Sequence, residues 1–425
     1  MADTVNWLAG IDWSRSTHQV CVMTAISAAV IGERSFKHSG ADLAALCDWL
    51  LATTGGSSGE IAVAIEVPHG PVVETLMGHG FAVYAINPKQ LDRFRDRFTL
   101  AGAKDDRLDA RVMADALRTD RHRLHQLRPT EADVLELREW SRMGDELKEE
   151  RVRLANRIGD QLWRYYPQAF EVTDDLGAGW FLELWGLAPT PAKAARVAEK
   201  SVARILAAHR IRRIDAAEVL RLLREKPIAV APGTAEAASV HIRALAKRLK
   251  LVNQQLKQVD RQLDVICARL GAAEDDEAGQ MSEQRDATIL RSLPGVGRTV
   301  AATLLSEASE PLRRRDYHAL RPLCGVAPVT KQSGKRKIVL MRQACHPRLR
   351  NAVYHWARIA IQRDKTSRAK YSALRKRGKS HGHALRAVAD RLLAVACTML
   401  RTGTLFDPSR LSRQIPAQSQ PVPNA

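Results

Sequence analysis

Four acidic residues in the N-terminal third of the chain stand where they could bind divalent cations. Asp12 and Glu66 each follow a short run of Ile, Val and Ala residues that is typical of a buried strand. Asp106 and Asp109 are three residues apart in a predicted helix over 104–118, so they lie on one helix face. Converging carboxylates repel one another unless cations lie between them, and oxygen ligands that act on phosphates favour Mg²⁺, with Mn²⁺ as the alternative.

Each acid also has a simpler structural interpretation. An aspartate at a strand end is often a turn or cap residue, and two aspartates three residues apart often belong to a solvated helix face. The combination of strand, strand and helix within one small domain favours the metal site. The helix has a further candidate, because Asp105 precedes Asp109 by four residues and could replace Asp106 as a ligand.

The pattern over residues 1–130 predicts an α/β domain of the RNase H-like type. Three strands come in succession, and helices and strands then alternate. No GxGxxG or GxxxxGK[ST] motif occurs, so neither a dinucleotide site nor an ATP site is indicated. The predicted elements are strands at 8–12, 18–24 and 29–36, a helix at 41–51, a strand ending at Glu66, a helix at 71–78, a strand at 81–86 and a helix after Pro88.

The net charge of +19 indicates a polyanionic partner. No run of about 20 apolar residues occurs, which argues against a membrane span. The first residues lack the basic start and apolar core of a signal peptide. The six cysteines are scattered without metal-binding spacing, which predicts reduced thiols in a cytoplasmic protein.

Residues 131–283 are predicted to form two long helical arms with a small helical insert at about 167–234. The arms carry apolar residues at helical spacing, which favours an antiparallel coiled coil within one chain or between two. Pairing between chains would give a homo-oligomer, a dimer or a tetramer. A plain helical hairpin packed on another domain is the alternative. The apolar positions are Trp140, Met143, Leu147, Leu154, Ile158, Leu162 and Tyr165 in the first arm, and Ile242, Leu245, Leu249, Val252, Leu256, Val259, Leu263 and Ile266 in the second.

The segment 284–405 is predicted to be a mostly helical nucleic-acid-binding domain, followed by a disordered tail at 406–425. Gly295 and Gly297 lie in a Leu-Pro-Gly-Val-Gly turn typical of a helix-hairpin-helix motif, whose free N–H groups meet a phosphate. A non-binding helical hairpin is the alternative. An acid-free basic run follows and favours a nucleic-acid surface over a merely solvated face; its candidate contacts are Lys331, Lys335, Arg336, Lys337 and Arg342.

Ser333 lies in a predicted base-rich loop beside Gly334. A serine becomes a nucleophile only when one group takes its proton and another stabilises the developing negative charge. No Ser/His/Asp arrangement is visible nearby, so on spacing alone Ser333 is more simply part of a flexible turn. Metal ions held by the N-terminal acids could supply the activation.

Several of these motifs, in this order, resemble the transposases of the insertion sequence 110 (110/116/902) group. The resemblance covers nearly the whole chain apart from the helical insert and the tail. It rests on Gly10-Ile-Asp12, the strand ending in Glu66, Asn87-Pro88-Lys89-Gln90, Lys104-Asp-Asp106-Arg-Leu-Asp109-Ala110, Leu293-Pro-Gly-Val-Gly297, Leu323-Cys-Gly325-Val-Ala-Pro328 and Gln332-Ser333-Gly334.

The resemblance implies a RuvC-type, Holliday-junction-resolvase-like domain of the DEDD type and a recombinase that joins donor and target DNA. Asp12, Glu66, Asp106 and Asp109 would hold Mg²⁺, and Ser333 would form a serine–phosphate intermediate. It also implies a structured guide RNA encoded by the element and a nucleoid-associated protein. Two alternatives stay open: a metal-dependent junction nuclease in which water attacks, and a non-catalytic nucleic-acid-binding scaffold.

Overall fold

A computed structural model describes residues 5–98, 105–270, 284–334 and 336–408. Lys104, Lys335 and most of the predicted tail at 406–425 therefore lie outside the described residues. The contacts divide the chain into two compact units, Met1–Glu131 and Ala132–Ala425. No helix within the described ranges is both long enough and apolar enough to span a bilayer.

The first unit is built on a mixed six-stranded sheet in the order β3-β2-β1-β4-β5-β6. The first three strands are antiparallel, β1 is parallel to β4, β4 is parallel to β5, and β5 is antiparallel to β6. All the strands and helices that the sequence predicts for this unit are present. Their described ends differ from the predicted ends by at most three residues. Strand β6 was not predicted. The elements are β1 (Trp7–Trp13), β2 (Thr17–Thr24), β3 (Val30–Lys37), α1 (Gly40–Thr54), β4 (Ile61–Ile65), α2 (Pro71–Gly78), β5 (Ala82–Ala85), α3 (Pro88–Arg95), α4 (Asp106–Asp120) and β6 (His125–Gln126).

Helices cover both faces of this sheet, because its central strands are apolar on both sides. Alternate residues of a strand point to opposite faces. Ile11, Val63 and their neighbours pack against α1 and α2. Leu8, Ala64 and the residues around them pack against α3 and α4. Continuous Ile, Val and Ala runs are what a strand buried on both faces requires.

In its described residues the second unit is mostly helical, and these residues also include a two-stranded hairpin. Its elements are α5 (Ala132–Tyr165), α6 (Ala169–Val172), α7 (Gly179–Leu187), α8 (Pro191–Ala194), α9 (Glu199–Ala208), α10 (Ala216–Leu223), α11 (Thr234–Arg269), α12 (Gln284–Ser292), α13 (Arg298–Glu307), α14 (Ser309–Arg313), α15 (Tyr317–Leu323), β7 (Val329–Ser333), β8 (Arg336–Leu340), α16 (Pro347–Arg363), α17 (Lys365–Lys376) and α18 (His381–Thr402).

The two predicted arms are the long helices α5 and α11, which pack side by side and antiparallel. Arg269 near the end of α11 pairs with Asp133 near the start of α5, at 3.0 Å between Nη2 and Oδ1. The predicted apolar positions of α11 are buried apart from the half-buried Leu256. In α5 one prediction was wrong, because Met143 is exposed. Gly144 faces the partner helix instead, and a Cβ added there would lie 3.0 Å from Val259 Cγ1.

A partly buried ion cluster joins α5, α13 and α16 within this unit. Arg142 donates to both carboxylate oxygens of Glu307, at 3.0 and 3.2 Å, and Arg348 pairs with Glu307 as well. Burial alone would raise the pKa of Glu307. The hydrogen bond from Arg142 and the charges of Arg142, Arg348 and His346 outweigh burial, so this pKa lies below its ordinary value. Arg348 lies in the acid-free basic segment from Lys331 to Arg350, but it has a structural partner inside the protein.

Candidate functional site

Asp12 and Glu66 come from the same end of two neighbouring parallel strands. In the β1–β4 pairing the last residue pair is Ile11 with Ile65; Asp12 is the next residue of β1, and Glu66 directly follows β4. Because side chains alternate and the two strands run in register, both acids belong to the face that α4 covers. Both are half-buried. The apolar runs that precede them thus bring two carboxylates to one edge of the sheet.

Helix α4 approaches this face at Gly10, two residues before Asp12. A Cβ added to Gly10 would lie 1.9 Å from the carbonyl oxygen of Ala110 and 2.7 Å from the nitrogen of Ala114. Only glycine permits so close an approach of a helix backbone to a strand. Ala110 directly follows Asp109, so the first turn of α4, which carries Asp106 and Asp109, begins beside the strand that carries Asp12.

The three aspartates at the start of α4 differ in exposure and in partners. Asp105 is exposed and caps the helix, accepting a hydrogen bond from the Arg107 nitrogen at 3.4 Å. Asp106 is exposed as well. Asp109 is only 2% exposed. The helix cap gives Asp105 a structural role that the sequence left open.

Arg95, at the end of α3, holds both oxygens of the Asp109 carboxylate. Its Nε donates to Oδ1 at 2.6 Å and its Nη2 donates to Oδ2 at 2.9 Å. Sequence reasoning missed this residue, and no local signal could have revealed a partner 14 positions away. Among the described residues, no three or more His, Cys, Asp or Glu side chains are arranged to hold a metal ion. Two strand-end acids share an edge, while Asp109 is bound to an arginine.

Ser333 lies at the end of a strand, which corrects the prediction of a loop. It is the last residue of β7 and pairs with Arg336, the first residue of β8. Gly334, the first turn residue, has a φ of 55°, which favours glycine. Ser333 is exposed, as is every residue of β8. This hairpin carries the serine at its tip.

The hairpin register decides which basic residues share a face with Ser333. Cross-strand partners point to the same face, and faces alternate along each strand. Arg336 pairs with Ser333, so their side chains lie on one face. Lys331, which pairs with Ile338, is two positions before Ser333 on β7, so its side chain lies on that face as well. Lys337 pairs with Gln332 and lies on the opposite face. The serine therefore has two cations on its own side.

Comparisons with known proteins place this chain among transposases. A transposase model of the DEDD type matches residues 9–167, and a model described as the transposase IS116/IS110/IS902 family matches residues 287–372. A mini-circle putative transposase for IS117 from Streptomyces coelicolor is 31% identical over 419 residues, which are 96% of this chain and 97% of that protein. The chain belongs to the IS110/IS116/IS902 family of transposases.

Two further relatives differ in how much of their length aligns. A putative transposase of Sinorhizobium fredii is 54% identical to this transposase over 224 residues, and this match spans only 62% of that relative. An insertion element IS900 protein from Mycobacterium paratuberculosis is 26% identical over 412 residues and 97% of its length. A DEDD transposase domain implies a divalent metal ion. The carboxylate oxygens of Asp12, Glu66, Asp106 and Asp109 suit such an ion chemically.

The predicted helix-hairpin-helix turn of the transposase connects α12 to α13. Gly295 has a φ of 87°, and a Cβ there would lie 2.9 Å from the backbone nitrogen of Ala360 in α16. Trp356 Nε1 donates to the carbonyl oxygen of Pro294 at 3.0 Å. Helix packing therefore explains the glycine at 295. Gly297 is exposed at the start of α13, and phosphate binding at this turn stays a prediction.

The other predicted nucleic-acid contacts have distinct surroundings. Lys331, Arg336 and Lys337 are exposed on the hairpin. Arg342 is half-buried and donates from Nε to the Ala327 carbonyl oxygen at 3.3 Å, so part of its donor capacity is used inside the protein. The exposed cations are the better candidates for phosphate contacts, because their side chains are open to solvent.

Proposed function

We propose that this transposase cuts and rejoins DNA through a serine–phosphate intermediate, with Ser333 as nucleophile and with Asp12, Glu66, Asp106 and Asp109 as ligands of Mg²⁺ or Mn²⁺. The observation that carries the proposal is the placement of Asp12 and Glu66 at one end of adjacent parallel strands, beside the helix that carries Asp106 and Asp109. The strand order, three antiparallel strands followed by parallel ones, supports an RNase H-like assignment for this unit.

The chemistry conserves the number of phosphodiester bonds. The Ser333 Oγ attacks the scissile phosphorus and forms an Oγ–P bond, while the bond from phosphorus to a deoxyribose oxygen breaks and that oxygen takes up a proton. A hydroxyl of the incoming strand then attacks the same phosphorus, so that a new P–O bond forms and the Oγ–P bond breaks, and the proton of that hydroxyl passes to the Ser333 Oγ. Bound divalent ions would lower the pKa of the attacking hydroxyl and offset charge on the phosphate. Lys331 and Arg336, on the Ser333 face, would hold a phosphate oxygen.

The test is a covalent adduct between the full chain and DNA that carries the ends of the element. With Mg²⁺ present, we expect a protein–DNA species that survives denaturing electrophoresis and disappears on protease treatment. Chelation of the metal with EDTA should prevent its formation, and added Mg²⁺ should restore it. Metal-dependent cleavage without any adduct would instead indicate a nuclease in which water attacks.

A guide RNA and donor and target DNA are the partners we propose, with two copies or more of the chain assembling through the long helices. The net charge of +19 supports a polyanionic partner. Sequencing the nucleic acid that co-purifies with the protein should return one structured RNA from the element's own flank; a random mixture would contradict the guide RNA.

Val240, Leu251 and Val265 are exposed on α11 at spacings of 11 and 14 residues, which supports a contact between copies of the chain.

The hairpin register yields a prediction about the two cations beside Ser333. Lys331→Gln and Arg336→Gln should each lower adduct formation at saturating DNA by roughly 10²-fold, because each removes a positive charge from the reacting phosphate. Gln332→Ala, on the opposite face of the same strand, is the matched control and should form the adduct at the wild-type rate. Equal losses in all three variants would mean that the hairpin acts only through its fold.

A further inference from the structure

The Arg95–Asp109 pair is a two-point contact between the end of α3 and the first turn of α4. Both carboxylate oxygens accept a guanidinium hydrogen bond, at 2.6 and 2.9 Å. The Asp109 side chain is 3% exposed and that of Arg95 is 15% exposed. Planar, two-point pairing of this kind is among the strongest charge-assisted contacts that proteins make. The contact therefore sets the orientation of the Asp109 carboxylate.

A divalent ion would have to use the same carboxylate oxygens. Mg²⁺ binds carboxylates directly and demands near-ideal octahedral geometry, which an arginine fork across both oxygens restricts. The guanidinium charge would also repel a cation a few ångströms away in a partly buried site. Arg95 and the metal therefore compete for Asp109 both in space and in charge.

Arg95 has a second partner, Asp92, which could bind its guanidinium after it leaves Asp109. Its Nη1 donates to Asp92 Oδ1 at 2.9 Å, and the Asp92 side chain, one turn earlier on α3, is 67% exposed. A guanidinium that leaves Asp109 would still be paired, in a more solvated place. Release of Asp109 thus does not leave an unpaired buried arginine, which would be costly.

We propose that Arg95 is a resident cation that occupies Asp109, so that the divalent metal site is completed only when Arg95 transfers to Asp92. This inference rests on the proposed function, in which Asp109 is a metal ligand. Arg95 is then a positioning residue that sets metal affinity through Asp109. It also accounts for a structure in which Asp12 and Glu66 share an edge while Asp109 faces an arginine.

The experiment measures Mn²⁺ binding by the full chain without DNA, from the electron paramagnetic resonance signal of free Mn²⁺. Arg95→Gln should bind Mn²⁺ about tenfold more tightly than the wild type, a factor that corresponds to about 1.4 kcal/mol. Arg118→Gln is the matched control. Arg118 pairs with the buried Asp115 at 2.7 Å on the same helix, so its loss removes the same charge without freeing Asp109, and its Mn²⁺ affinity should equal that of the wild type.

Arg95→Lys covers the case in which Arg95→Gln fails to fold, as judged by circular dichroism. A lysine keeps the charge and loses the two-point fork, so its Mn²⁺ affinity should lie between those of the wild type and Arg95→Gln. Binding by a folded Arg95 variant that equals the wild type, or is weaker, would overturn the inference.

Asp12→Asn and Asp109→Asn separate this inference from the proposed function. If both weaken Mn²⁺ binding while the Arg95 variants do not strengthen it, the acids are ligands and only the competition is wrong. If neither acid variant weakens Mn²⁺ binding, in the wild type or in Arg95→Gln, these acids do not form the metal site, and the proposed competition with Arg95 is wrong as well. Tighter binding by Arg95→Gln that is lost on adding Asp109→Asn supports both.

Discussion

Ser333→Ala is expected to abolish the covalent protein–DNA adduct and to reduce strand exchange by roughly 10⁴-fold or more, the order of loss seen when the nucleophile of a covalent mechanism is removed. The substitution deletes one hydroxyl from an exposed strand end, so folding should be unaffected. DNA affinity should also be unchanged, because the neighbouring cations remain. The measurement is adduct yield by denaturing electrophoresis together with recombinant product by amplification across the junction.

Thr330→Ala is the matched control for Ser333. It removes a hydroxyl from the same strand, three residues earlier, on the opposite face of the hairpin. Its adduct yield should equal that of the wild type. Normal recombination by Ser333→Ala would exclude the serine intermediate, and metal-dependent cleavage by that variant without joining would favour the water-attacking nuclease.

Asp12→Asn is expected to reduce adduct formation by about 10³-fold, equivalent to a barrier higher by about 4 kcal/mol. Asparagine keeps the size of the side chain and one oxygen but removes the negative charge that holds a divalent cation. Asp12 belongs to the central strand β1, paired with Gln19 of β2, so the isosteric change should leave the sheet intact. Adduct yield against Mg²⁺ concentration is the measurement.

Excess metal offers a second check on Asp12. Raising Mg²⁺ or replacing it with Mn²⁺ should recover part of the lost activity, because a weakened site is refilled by mass action. Asp48→Asn, on the helix that covers the opposite sheet face, is the control and should behave as the wild type. Unchanged activity of Asp12→Asn on DNA would support the non-catalytic scaffold, in which only the basic surfaces matter.

Local sequence patterns sufficed for β1 to β5 and α1 to α4 of the N-terminal unit, but not for the two-residue strand β6. Helix α2 has its predicted bounds, and β1 to β4 differ from prediction by at most one residue at each described end. Apolar runs indicate which segments are buried, and the Gly, Ser and Pro residues that bound them indicate where the chain turns. Both properties depend on residues that are close in sequence. The same runs placed Asp12 and Glu66 at strand ends. The apolar spacing of α11 likewise identified its buried face.

The sequence of the hairpin that carries Ser333 shows no such apolar pattern. Nearly all of its residues are exposed, so no alternation of buried and exposed positions distinguishes it from a loop. Cross-strand pairing alone creates it, and this pairing places Lys331 and Arg336, but not Lys337, beside the serine. A list of basic residues in the sequence could not separate them.

By itself the sequence indicated the family of the chain through its motifs and the types of residue that could act on a phosphodiester. It also located the strands β1 and β4 and the helix α4 that precede or carry the four acids, because apolar spacing is a local property. Only the tertiary structure decided what those residues contact. It brought α4 against Gly10, paired Arg95 with Asp109, and packed Gly295 against α16. Such contacts join side chains that lie far apart in sequence, and packing between elements selects them.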